Sequence, residues 1–333
     1  MKVFVSGAAG FLGSHLSDEF VKRGHVVTGC DNMIGGDLVN LPEGIRFEEA
    51  DCCDVEAMTR LTEGAEVIYH CAAIATEGLS VFSPAIIAKH VYESTAGLLA
   101  AAATNRARRF VLCSSMARYG IGDPPFREDQ PATPEDPYGI AKYAAELLTA
   151  NVCATHGLEH AIAVPHNIIG PKQKYDDPYR NVASIMVNRM LQGLQPIIYG
   201  DGEQRRTFSF VQDCVDPLVK MGTMPGLDGQ VINIGPDEET VTINELARIL
   251  AELLNFDLEP IYVVMRPREV KHATCSAEKA RSLLGYETKV SLREGLQSII
   301  DWIRANGTKP FEYHLPIEID SPLLPSTWRQ RLI

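Results

Sequence analysis

Apolar residues along this chain fall into short blocks separated by glycine-bearing turns, and the blocks alternate between two spacings. Lys2 to Ser6 reads as a buried strand. After a glycine turn, apolar positions recur at helical spacing from Phe11 to Lys22 until Gly24 stops them. The alternation continues with a strand from His25 to Cys30, a short helix from Asp54 to Leu61 ended by Gly64, and a strand from Val67 to Cys71. An alanine-rich helix follows Ser83-Pro84 and ends near Asn105, ahead of the strand Phe110 to Cys113. Pro137 opens a helix through Ala141, Ala145 and Leu148, closed by Gly157, and Ala161 to Val164 is the next strand. This order predicts an α/β fold with a parallel sheet covered on both faces.

The second half is less regular. Asn181 to Leu191 reads as helix, and Pro196 to Tyr199 as a short strand before the turn Gly200-Asp201-Gly202. Capping boxes at Thr242 to Glu245 and Ser291 to Glu294 open helices over Leu246 to Leu254 and Leu296 to Ala305. From Thr308 the chain carries Pro310, Pro316, Pro322 and Pro325, which predicts an extended tail wrapped on the surface.

Charge narrows the partners. The 333 residues include 31 Lys+Arg against 43 Asp+Glu, a formal charge of −12. A nucleic-acid surface needs a basic face, so no nucleic-acid partner is expected. No apolar run approaches the roughly 20 residues of a membrane helix, so no membrane partner is expected either. The chain opens directly on a strand-like run without a signal-peptide pattern, which points to a cytoplasmic protein. Eight cysteines share no C-x-x-C or cysteine–histidine spacing, so reduced core thiols are expected and no metal site.

Two motifs carry chemistry. Gly7-Ala8-Ala9-Gly10-Phe11-Leu12-Gly13 follows a strand and opens a helix, the context in which glycines let a pyrophosphate approach the backbone at a helix N-terminus. Asp31 ends the second strand, where a carboxylate accepts bonds from the adenosine ribose and repels a 2′-phosphate. No arginine follows within a few residues, so NAD rather than NADP is expected. The second motif is Tyr138-Gly139-Ile140-Ala141-Lys142. Residues i and i+4 share a helix face, so Lys142 can approach both the Tyr138 phenol and a cofactor ribose. A nearby ammonium and a positive nicotinamide lower the phenol's pKa and make Tyr138 a general base. Ser115, after the preceding strand, is placed to bond a substrate hydroxyl.

Taken together, these residues resemble the extended short-chain dehydrogenase/reductase family, in its nucleotide-sugar 4-epimerase and dehydratase branch. The resemblance runs over about residues 1 to 305. It is carried by the glycine fingerprint, Asp31-Asn32, Asp51, His70-Cys71-Ala72-Ala73, Ser115 before Tyr119-Gly120, Tyr138/Lys142, Asn167 with Gly170-Pro171, Arg205-Arg206-Thr207-Phe208 and Arg266-Pro267. It implies a Rossmann-type doubly wound parallel sheet, over residues 1–164 plus about 207–235, that binds NAD. A smaller α/β substrate-binding domain would comprise residues 165–206 and 236–333, tail included. It also implies a homodimer and a catalytic trio of Ser115, Tyr138 and Lys142. Cofactor contacts fall on Gly7, Gly10, Phe11, Leu12, Gly13, Asp31, Asn32, Asp51, Cys52, Cys71, Ala72, Ala73, Tyr138, Lys142 and His166. Substrate contacts fall on Ser115, Asn167, Arg206, Arg266 and Ala273, the last a small residue that would leave room for a 2-N-acetyl group.

One departure separates branches. The family's dehydratases carry an Asp-Glu pair directly after the serine position, and its UDP-glucuronate decarboxylases a Ser-Glu pair. This chain has Met116-Ala117. The visible groups then support oxidation and re-reduction at C4 of a UDP- or dTDP-hexose. A nucleotide-sugar oxidoreductase or dehydratase, and a non-catalytic NAD-binding regulatory protein, are the alternatives. His166 stands where an aromatic is usual, and Arg118 where an apolar residue is usual.

Overall fold

The computed structural model describes all 333 residues. In chain order the first half contains β1 (Lys2–Ser6), α1 (Phe11–Lys22), β2 (Val26–Asp31), β3 (Arg46–Glu49), α2 (Val55–Leu61) and β4 (Val67–His70). Then come α3 (Glu77–Ser80), α4 (Pro84–Ile87), α5 (Ser94–Thr104), β5 (Arg109–Cys113), α6 (Pro137–His156) and β6 (Glu159–Pro165). The second half contains β7 (Ile168–Ile169), α7 (Val182–Leu191), β8 (Ile197–Tyr199), β9 (Arg205–Thr207), β10 (Ser209–Phe210), α8 (Val211–Thr223) and β11 (Gln230–Ile234). It ends with β12 (Thr240–Thr242), α9 (Ile243–Leu254), β13 (Ile261–Val263), β14 (His272–Ala273), α10 (Glu278–Leu284), α11 (Leu292–Asn306) and α12 (Ser326–Arg329). No helix is long and apolar enough to cross a membrane.

The main sheet has seven strands in the order β11-β6-β5-β4-β1-β2-β3, all parallel. It is a Rossmann-type doubly wound sheet with an apolar cluster on each face. Chain direction across the sheet reverses between β1 and β4, which leaves a crevice beyond their carboxyl ends. The loops after β1 and β4 meet there. Gly7 lies at φ +70°, and a Cβ on it would come within 2.8 Å of the Ala72 amide. A side chain at position 7 would push these loops apart.

Three features differ from the simple strand–helix alternation. β3 is a half-exposed edge strand, Arg46-Phe47-Glu48-Glu49, with too little apolar character to register as a strand. Helix α8 contains Pro217 yet packs against α1 beneath the sheet. The alanine-rich helix is broken by a π-helical stretch, Ala88–Glu93, where the Thr95 hydroxyl donates to the Val91 carbonyl at 2.6 Å.

Above the crevice, α7, α9 and α11 enclose a separate apolar cluster, flanked by the small sheets β12-β9-β14 and β13-β8. The tail differs from the expectation of a surface wrap. It runs extended to Pro325, but Leu315, Leu324 and Trp328 are buried in a cluster with Ile74, Phe82, Tyr138 and Tyr179. Apolar residues set among the prolines account for this: they have a core to join.

Candidate active site

The crevice opens into one deep cleft between the sheet and the smaller layer. At its floor the first turn of α1 is left free for a ligand. Gly10 caps it without a side-chain hydrogen bond, and the turn carries no acidic residue. Its backbone N–H groups therefore point into the cleft with the positive end of the helix dipole. A Cβ on Gly13 would overlap the Gly7 carbonyl oxygen, so this turn closes tightly only with glycine.

Asp31 ends β2 beside this turn. Its carboxylate accepts from the Met33 amide at 2.9 Å, and burial pushes its pKa up against the pull of the backbone amides around it. Asn32 Nδ2 donates to Asp51 at 3.2 Å, and the Cys53 amide donates to Asp51 at 2.9 Å. Burial raises the Asp51 carboxyl, but these hydrogen bonds outweigh it and hold it below its ordinary value. Around Asp31 the cleft is lined by Asn32, Gly35, Gly36, Asp51 and Cys52. None is cationic, so this end fits an adenosine with a free 2′-hydroxyl. The glycine cradle and this carboxylate fit NAD.

Ser115, Tyr138 and Lys142 come together where β5 and α6 face each other. Asp136 caps α6 by accepting from the Gly139 amide at 2.9 Å, and Pro137 takes the first helical position. These two residues set Tyr138 in the first turn, with Lys142 one turn further on the same face. The Lys142 ammonium donates to the Cys113 carbonyl at 2.7 Å and lies 5.8 Å from the Tyr138 ring centre. Burial lowers its pKa to about 8. Ser115 follows β5 and caps a short turn by accepting from the Ala117 amide at 3.2 Å.

The Tyr138 phenol differs from the expectation of a lowered pKa. Burial pushes it up, and the negative charge of Glu77 adds to this. The neighbouring Ser115 hydroxyl and the Arg180 guanidinium pull it part of the way back. Glu77 opens onto the cleft from α3. The surrounding cleft walls, although they leave it open to solvent, and the charge of Asp136 raise its carboxyl to about 7, against the pull of Arg206 and Arg266.

At the far end Arg266 makes a two-pronged contact with Glu269, 3.0 Å at each nitrogen, and Arg206 reaches the same carboxylate at 3.6 Å. Asn167 lies in the left-handed region at φ 42° and donates to the Thr207 carbonyl at 2.9 Å.

The fold brings nearly all residues singled out from the sequence to this cleft. Gly7, Gly10, Phe11, Leu12, Gly13, Asp31, Asn32, Asp51, Cys52, Cys71, Ala72 and Ala73 line it, with Ser115, Tyr138, Lys142, Asn167, Arg206 and Arg266. Two do not. His166 is turned away: its Nε2–H donates to the Pro236 carbonyl at 2.9 Å and its ring packs on Gly235, while Pro165 and Asn167 line the cleft. Ala273, on β14, is buried in the cluster holding Met116, Phe126 and Cys275. Extended chain alternates its side chains between two faces, so one residue of register decides such positions.

The sequence reading missed Glu77, Arg180, Tyr199 and Glu269, all of which line the cleft. A carboxylate within Ile74-Ala75-Thr76-Glu77-Gly78, just past the switch-point strand β4, was a signal for Glu77. Arg118, by contrast, is structural. It is buried beneath the site with its Nε 2.9 Å from Glu146.

A glycine cradle at a helix N-terminus, a carboxylate ending the second strand and a Tyr–Lys pair beside them define a dinucleotide-dependent catalytic site. Residues 3–235 match the NAD dependent epimerase/dehydratase family, and the chain belongs to it. A UDP-glucose 4-epimerase of Mycolicibacterium smegmatis is 32% identical over 91% of this chain and 99% of its own length. A UDP-N-acetyl-alpha-D-glucosaminuronate decarboxylase of Bacillus cytotoxicus is 30% identical over 91% of this chain and 98% of its own. Among solved structures, the UDP-glucose 4-epimerase of Thermotoga maritima with UDP-glucose superposes with a TM-score of 0.87. It is 33% identical over 92% of this chain and 99% of that one. Each alignment thus leaves about a twelfth of this chain unmatched.

Proposed function

We propose that this protein is an isomerase, an NAD-dependent nucleotide-sugar 4-epimerase acting on a UDP- or dTDP-hexose. The observation that carries the reading is the placing of Ser115, Tyr138 and Lys142 together at the carboxyl end of β5, with Met116-Ala117 where acid–base chemistry at neighbouring carbons would need a carboxylate pair. Arg206 and Arg266 hold the nucleotide diphosphate, and Gly7 to Gly13, Asp31 and Lys142 hold NAD. NAD held there would supply a hydride acceptor and donor for C4 of the sugar.

Tyr138 takes the proton of the sugar 4-hydroxyl through its phenolate oxygen. Ser115 bonds the same hydroxyl and fixes its direction. Lys142, charged below about pH 8, stabilises the phenolate against the effect of burial. The sugar, oxidised at C4 to the ketone, turns over in the pocket so that the opposite face of C4 would receive the hydride, and Tyr138 gives the proton back to the C4 oxygen. No net oxidation results. Exposed apolar side chains on and near α6, Ile140, Leu147 and Tyr92, support a homodimer through this face.

Glu77 favours a second reading. A carboxylate near neutrality beside Tyr138 can move protons at C3 or C5, as a dehydratase or decarboxylase requires. The test is incubation in heavy water with UDP-glucose, UDP-N-acetylglucosamine, their uronic acids and dTDP-hexoses. Inversion at C4 without deuterium in the sugar is expected. Deuterium at C3 or C5, or release of water or carbon dioxide, establishes the second reading instead.

A further inference from the structure

The tail from Thr308 to Ile333 has no part in the chemistry above, yet it is built into the wall of the cleft. After Asn188 on α7 takes the Lys309 backbone, the tail is pinned at α4. Ser83 Oγ donates to the Pro316 carbonyl at 2.7 Å, and the Ala85 and Ile86 amides each donate to the Glu318 carboxylate at 2.8 Å. The chain then turns back and drives Trp328, 2% exposed, among three aromatic rings. Its ring lies edge-on to Tyr179 at 5.3 Å, Phe82 at 6.3 Å and Tyr199 at 6.4 Å between centres.

Tyr199 is the link to the cleft. Its hydroxyl and the Thr327 hydroxyl share a 2.6 Å hydrogen bond, and the Arg266 guanidinium sits over its ring at 4.7 Å. Glu269 holds the same guanidinium from its edge. Gly78 marks where these parts meet: a Cβ there would lie 3.2 Å from the Trp328 ring and 3.3 Å from Arg266 Nη1. Arg266 is thus fixed in one rotamer by a stack, a fork and a missing side chain. A long flexible cation held this way loses little freedom when an anion binds.

We propose that Thr327 and Trp328 are positioning residues for the substrate's diphosphate, acting through Tyr199 on Arg266. The inference rests on Arg266 holding that diphosphate. It assigns the tail a part in substrate affinity rather than in the chemical step. Thr327 is buried with its hydroxyl committed to Tyr199, so Thr327→Val removes the bond while keeping the volume.

The test measures UDP and dTDP binding by calorimetry, steady-state kinetics with the accepted nucleotide-sugar, and retained NAD. Thr327→Val is expected to weaken nucleotide binding and raise KM by about five- to tenfold, with kcat and NAD content little changed. Thr327→Ser should restore both, and Trp328→Phe should fall between them. Wild-type binding of UDP or dTDP that is unchanged in Thr327→Val and Trp328→Phe overturns the inference alone. A wild-type chain that binds neither nucleotide overturns the functional reading and this inference with it. A loss of NAD or a fall in kcat as large as the rise in KM also overturns it, because a merely structural role would act that way.

Discussion

The ammonium of Lys142 donates a 2.7 Å hydrogen bond to the backbone carbonyl of Cys113 and so ties α6 to the carboxyl end of β5. This uses one of its three N–H groups and leaves two for the cleft. Lys142→Met should lower kcat by about 10²- to 10⁴-fold and reduce the NAD retained through gel filtration. Burial already pushes Lys142 toward its neutral form, so the apolar replacement should leave the melting temperature nearly unchanged. Rate and NAD content are read on the same preparation, and wild-type values for both would remove Lys142 from the mechanism.

Glu77 raises the Tyr138 phenol, and its own carboxyl titrates at about 7. In Glu77→Gln the negative charge is gone, so the phenol ionises at lower pH. The acid limb of kcat/KM should therefore move to lower pH. A limb moved upward, or left in place, would show that Glu77 does not act on Tyr138.

Gly13 is packed against the Gly7 carbonyl so closely that no side chain fits. Gly13→Ala must open the turn that presents the α1 amides. The expected result is a chain that folds, by circular dichroism, but is purified without NAD and is inactive.

Arg118 and Glu146 form an ion pair with side chains only 8% and 4% exposed, and Ser114 also bonds the carboxylate. Removing one partner strands the other's charge. Arg118→Met should cost about 3–5 kcal/mol in urea unfolding. Adding Glu146→Leu should recover much of it, since an apolar pair of similar volume has no charge to desolvate.

His70 is buried between Ser6, 2.7 Å away, and Thr95, 3.1 Å away, and burial lowers its pKa from 6.5 to about 3. The folded-state value is the depressed one, so the unfolded chain takes the proton first. Stability from this residue is complete above pH 6.5 and is lost as pH falls toward 3, by up to about 1.4 kcal/mol per unit. The wild-type melting temperature should drop between pH 6 and 4 more steeply than that of His70→Gln.

Legibility followed the range of the contacts involved. The strand–glycine–helix of residues 2–22 and the Asp136-Pro137-Tyr138 start of α6 are built from neighbours within one turn, and both are as the pattern reads. The family resemblance assigns His166 and Ala273 to the site, and both lie on extended chain, His166 directly after β6 and Ala273 on β14. There a single step of register reverses the face, and both side chains are buried elsewhere. Edge strand β3 forms because a partner already exists for it and has no strong local signal, whereas α8 carries apolar residues at helical spacing, Val211, Cys214, Val215, Leu218 and Val219, interrupted only by Pro217.

The sequence by itself determined the parallel sheet, the glycine turn, the carboxylate that ends the second strand and the Tyr138–Lys142 face, because each depends on residue type at short spacing. Only the tertiary structure decided what surrounds them. Glu77 beside Tyr138, Arg118 on Glu146, and Thr327 and Trp328 behind Tyr199 and Arg266 join residues from 28 to well over 100 positions apart. No periodicity encodes such pairs. They arise when burial forces each polar group to find a partner and each ring a surface, and the choice belongs to the packed chain as a whole.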